Sequence, residues 1–166
     1  MEMHCLLHNQ KYTKLWDKLY TKELGQLAQG VSGTEGTDTN VFIKYTEIPL
    51  DRRRHITYGK TVVTYQPEKD DPNQTRLTVG GNWIVHHGNV STPAVKMMTV
   101  KMHLNSMIST KGVQYCTFNL KDFYLNMPME QPEYMRMKLS NPPQEFVNLY
   151  DLTRIAEDNG NVYIKV

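Results

Sequence analysis

The sequence predicts an α+β fold, a mostly antiparallel sheet with two main helices, and three observations predict it. Apolar residues recur at helical spacing between residues 11 and 29, and a second helix-type run follows a Ser-Thr-Pro start at 91–93. Between and after them lie short β-branched and aromatic runs bounded by Pro, Gly, Asp and Asn. With 166 residues, 39% of them hydrophobic and 22% charged, the chain is long enough to bury one core.

In the first helix Tyr12, Leu15, Trp16, Leu19, Tyr20, Leu24 and Leu27 fall three and four apart, so one face is apolar. Gln29 to Asn40, carrying Gly30, Gly33 and Gly36, reads as an exposed loop. Asn40–Ile43, Thr61–Tyr65 and Thr75–Val79 read as strands of a small antiparallel sheet. Ser91-Thr92-Pro93 supplies a hydroxyl cap and a proline at the first helical position. Met97, Val100, Leu104 and Met107 then share one face of a helix expected to end near Lys111-Gly112. Gln114 to Leu120 alternates, with Cys116, Phe118 and Leu120 on one side and Tyr115, Thr117 and Asn119 on the other. The Pro-rich stretch 128–143 is broken by Tyr134 to Leu139, which alternates like a strand. Asn159-Gly160 marks a hairpin-type turn. Val162, Ile164 and Val166 then begin a strand at which the sequence stops, the pattern expected of a truncated unit. On that reading the Phe118 and Val162 strands leave apolar surface uncovered.

Composition narrows the function classes. A net charge of +2 neither requires nor excludes a polyanionic partner. Cys5 and Cys116 cannot make a disulfide framework, and the lone His4-Cys5-x-x-His8 cluster lacks a second half. The apolar runs fall short of the ~20 residues a membrane span needs, and the start carries no secretory apolar region. The expected setting is intracellular, cytoplasmic or nuclear, with no membrane partner and no secretion. Arg52-Arg53-Arg54-His55, Lys60, Arg76 and Lys121 are candidates for a basic groove, though Glu68, Asp70 and Asp71 stand close to them in sequence.

Four blocks carry a family resemblance: Leu24 to Val31, Thr75 to Asn82, Asn119 to Pro128 as NLKDFYLNMP, and Pro132 to Met137. In this order and spacing they resemble the N-terminal part of the reverse transcriptase of Ty1/copia-type long-terminal-repeat retrotransposons. The resemblance covers nearly the whole chain from Leu15 onward.

It implies a partial right-hand polymerase, fingers plus an incomplete palm. Residues 1–10 would be an N-terminal extension, 11–113 the helix and fingers region, and 114–166 the start of the palm, truncated before the Tyr-x-Asp-Asp hairpin that holds two of the family's metal-binding aspartates. The implied activity is RNA-directed DNA polymerisation on an RNA or DNA template-primer, the implied cofactor Mg²⁺, and the implied partner the rest of a Pol polyprotein. In Phe118 to Leu125 the family's first catalytic aspartate falls on Asn119. An amide offers a neutral carbonyl oxygen where hard cations favour carboxylates, so no bound Mg²⁺ and no polymerase activity are expected of this chain. Asp122 lies an odd offset along the strand and would point to the other side. By the same resemblance the amides around Asp122 and Phe123 hold the triphosphate, Tyr124 gates the sugar, and Arg76 meets triphosphate or template. Read without the family, Tyr124 is a half-buried strand aromatic and Arg76 a solvated strand charge. A residual nucleic-acid-binding module and a domesticated interaction domain are the alternative functions.

Overall fold

The computed structural model describes residues 13–84, 95–118, 125, 129 and 131–166. The chain divides into two compact units, Met1–Ile84 together with Tyr124–Val166, and Val85–Phe123.

The first unit is α+β and is built on a five-stranded mixed sheet. Helix α1 (Thr13–Leu27) precedes strands β1 (Val41–Ile43), β2 (Thr57–Tyr65) and β3 (Asn73–Val79). Strand β4 (Tyr134–Lys138) and strand β5 (Asn161–Lys165) complete the sheet in the order β1-β5-β4-β2-β3. The expected antiparallel pairing holds for β1 with β5, β5 with β4 and β2 with β3, whereas β2 and β4 run parallel. That parallel contact is brief. Only Thr57 and Tyr58 pair with Met135 and Arg136, and from Gly59 onward β2 pairs with β3 as a separate hairpin.

Strand alternation sorts the core into two faces. Met135, Met137, Val162 and Ile164 turn to one side, where Tyr20, Leu24 and Ala28 of the α1 segment cover them. Phe146, Val147 and Leu152 pack there too, from two short helices that the sequence reading did not contain. A short helix spans Gln144–Leu149 and another Leu152–Ile155, between β4 and β5. Tyr134 and Tyr163 turn to the opposite side and pack with Ile48 and Ile56 of the segment between β1 and β2.

The β5 strand is the sheet's second strand, not an uncovered one. It lies between β1 and β4, and Val162 and Ile164 are fully buried, so the expectation that the Val162 strand exposes apolar surface is corrected. Helix α1 runs from Thr13 and buries Trp16, Tyr20 and Leu24, while Leu15, expected on the same face, stands at its margin and is exposed.

The loop after α1 is tied down. The amides of Thr37, Asp38 and Asn40 donate to the carbonyls of Gln26, Ala28 and Leu27 at 2.8, 3.0 and 2.7 Å. The Gln26 and Leu27 carbonyls belong to the helix's last turn and that of Ala28 follows it, where intrahelical donors run out.

In the second unit a helix spans Met97–Ser109. Met97, Met98, Met102 and Ile108 are exposed, and Met107 is half-buried. The helix stops two residues short of the expected Lys111-Gly112. The strand expected over Gln114 to Leu120 is not formed at 114–118, where the backbone is irregular and Phe118 is exposed. A strand requires a neighbour for its N–H and C=O groups, and none pairs with this run among the described residues. Asn119, Leu120, the Ser91-Thr92-Pro93 start and the His4-Cys5-x-x-His8 cluster lie outside the described residues.

Candidate nucleic-acid interface

The β2–β3 hairpin sets the geometry of the site. Lys60 stands opposite Thr78 and Arg76 opposite Val62, and cross-strand partners share a face. The two cations are therefore diagonal neighbours, roughly 7–8 Å apart at Cβ. Both are exposed, on the side of the hairpin away from Thr75, which is buried.

The same face continues onto the main sheet. Tyr58 pairs with Arg136 in the parallel register, two residues before Lys60 on the same strand, so Arg136, Tyr58 and Lys60 lie in one stripe. Trp83, in the 3-10 turn that follows β3, sits edge-on to Tyr58 with ring centroids 6.1 Å apart. The Arg136 guanidinium lies over the Trp83 ring at 5.9 Å. Trp83 is 47% exposed and Tyr58 39%, so both rings keep a free surface. Gly80 lets this happen, because a Cβ there would run into the Tyr58 ring. The arrangement is a row of cations interleaved with aromatic faces, which suits a backbone phosphate chain with stacked bases.

Of the residues singled out in the sequence, Lys60 and Arg76 come together, while Arg52 and Arg53 are committed elsewhere. Arg52 Nη2 pairs with Glu133 Oε1 at 2.9 Å and donates to the Pro132 carbonyl at 3.1 Å. Arg53 donates from Nε to the Ile48 carbonyl at 3.0 Å and stacks over the Tyr45 ring at 4.5 Å. Both cations hold the segment between β1 and β2 in place. Arg54 is exposed in the same turn. Lys121, Asn119, Asp122, Phe123 and Tyr124 lie outside the described residues. Tyr58, Trp83 and Arg136 were missed in the sequence; the period-two alternation of β2 and β4 finds Tyr58 and Arg136 once their register is known, whereas Trp83 lies in the turn after β3, where no strand period applies.

Among the described residues no group of three His, Cys, Asp or Glu side chains is placed to hold a metal ion, and no helix is long and apolar enough to cross a membrane. No family model matches the chain, and neither a curated protein nor a solved structure matches it.

Proposed function

We propose that the chain is the fingers and first palm segment of a Ty1/copia-type reverse transcriptase, inactive as a polymerase by itself, whose residual activity is to hold a template-primer on the exposed face of the sheet. The observation that carries the binding activity is the stripe of Lys60, Arg76 and Arg136 with Tyr58 and Trp83 on one face. The four sequence blocks, in family order, support the ancestry. The donor set does not fit a pair of Mg²⁺ ions, because the carboxylate position carries the neutral amide of Asn119.

Titration of a fluorescent primer-template against a salt series tests the binding. Affinity is expected to fall with salt, and Lys60→Ala, Arg76→Ala and Arg136→Ala each to reduce the slope by about one. Trp83→Ala is expected to cost about 1–3 kcal/mol through lost stacking. Absence of binding at low salt retires this function and leaves the interaction-domain alternative. Primer extension with Mg²⁺ or Mn²⁺ is expected to give no product; extension that Tyr124→Ala abolishes would overturn the assignment as inactive.

A further inference from the structure

The free edge of β3 presents a second recognition chemistry beside the basic stripe, with Arg76 bordering both. The Leu77 amide donates to Glu23 Oε1 of α1 at 3.3 Å, so this N–H points out of the sheet and not toward β2. The hairpin's own bonds agree. Gly80 donates to the Tyr58 carbonyl and Gln66 to the Pro72 carbonyl, at 2.9 and 2.7 Å, and both pairs continue the register of Lys60 with Thr78 and Val62 with Arg76. Bonded and non-bonded pairs alternate in an antiparallel ladder. Asn73, Thr75 and Leu77, opposite Tyr65, Val63 and Thr61, are therefore the residues whose backbone N–H and C=O face outward.

Between α1 and β3 lies a groove of about 230 Å³, lined by Lys22, Glu23 and Gln26 of the helix and by Asn73, Gln74 and Thr75 of the strand. Thr75 is 6% exposed and its hydroxyl has no hydrogen-bond partner. A buried hydroxyl without a partner has lost its water without compensation, a cost that a bound group with a matching donor or acceptor recovers.

We propose that this groove takes an extended peptide segment of a partner protein, which adds as a short strand to the β3 edge beside α1. An edge strand facing a helix across a groove is the geometry of β-strand addition, in which main-chain hydrogen bonds carry the affinity. The charges select the class of ligand. Lys22 and Arg76 are balanced by Glu23 and Asp71 around the groove, so it favours a neutral peptide backbone over a polyanion. Glu23 already occupies the edge at Leu77, which limits pairing to Asn73 through Thr75, a span of about three residues or ~10 Å. A Ser or Thr of the peptide supplies the partner that the Thr75 hydroxyl lacks.

The probe is a short, terminally blocked, fluorescein-labelled peptide of alternating Thr and Val, titrated against the intact chain by fluorescence anisotropy. Saturable binding is expected, weakened about tenfold or more when the same peptide is N-methylated along its backbone. Thr75→Pro removes an outward N–H while sparing the bonds to β2, and is expected to abolish binding with the melt still cooperative. Asn73→Pro, at the first residue of the strand, does the same should Thr75→Pro fail to fold. Failure to saturate, or equal binding of the N-methylated peptide, overturns the proposal. So does displacement of the peptide by primer-template, or a concentration-dependent dimer in sedimentation that Thr75→Pro dissociates, which would give the edge to a second copy of the chain.

Discussion

Arg52 and Glu133 meet at 2.9 Å, joining the turn before β2 to the residue that leads into β4. The contact is reinforced on both sides. Arg52 also reaches Gln131 Oε1 at 3.3 Å and the Pro132 carbonyl, while the Glu133 backbone exchanges hydrogen bonds with Val166 at 3.1 and 2.9 Å. One guanidinium thus fixes where the β4 segment enters the sheet.

Arg52→Ala is therefore expected to destabilise the fold by about 1–2 kcal/mol, since it leaves a half-buried carboxylate and a carbonyl without their donor. Urea denaturation measures this. The same variant is expected to bind primer-template as the unaltered chain does, in contrast to Arg76→Ala. Equal loss of binding by both would place Arg52 in the interface after all.

Phe146 anchors the helical layer. It is fully buried, stacks on Tyr150 with centroids 4.4 Å apart and meets Phe42 at 5.7 Å. Phe146→Ala is expected to cost about 3–5 kcal/mol, a large share of the ~5–15 kcal/mol that holds a domain together. Tyr150→Phe asks less. It removes a hydroxyl that donates to the Gly30 carbonyl at 2.6 Å and accepts from the Gln29 amide at 3.1 Å, for an expected loss of about 1 kcal/mol in the same denaturation.

Phe146 also shows where the sequence is hard to read. Its helix has six residues and the next has four, too few turns for a hydrophobic period to stand out from a Pro-rich surround. Helix α1, with Trp16, Tyr20 and Leu24 at intervals of four, was plain, and β1, β4 and β5 were found from their apolar and aromatic runs, although Val162, Tyr163 and Ile164 are buried in succession because β5 is covered on both faces. The β2 strand begins at Thr57, four residues ahead of its expected start, because Thr57 and Tyr58 pair with β4, which is distant in sequence. Two of the stripe's five residues were legible in the sequence. Lys60 and Arg76 belong to one hairpin, but Arg136 joins them only through that long-range parallel register, which no local pattern encodes.

The loop after α1 makes a sharper test of local geometry. Gly36 lies so close to the helix end that a Cβ there would collide with the Ala28 carbonyl, the Gly30 amide and the Gln29 backbone. None of these is a side chain that can swing aside. Gly36→Ala is expected to cost about 2 kcal/mol or more and to loosen the amides of Thr37 and Asp38 that cap α1, seen as faster hydrogen exchange there. Gly81→Ala, where an added Cβ meets open space, is the control and is expected to change stability little.

Alkaline pH is expected to act through Tyr20. Burial pushes its phenol up to about 12, with Thr61 beside it partly opposing the rise and Glu23 adding to it. The Thr61 side chain does not complete a hydrogen bond, so the Tyr20 hydroxyl is buried without a partner. Because the folded chain holds this proton more tightly than the unfolded one, the contribution is complete below pH 10 and is lost as pH rises from 10 toward about 12. Tyr150, whose phenol burial also raises, adds to the loss in the same direction. Thermal melts across this range are expected to fall, and Tyr20→Phe to flatten the fall without lowering stability at neutral pH, since it removes an unpaired buried hydroxyl. A Tyr20→Phe chain that melts lower at neutral pH would show that the hydroxyl is hydrogen-bonded in solution and that α1 depends on it.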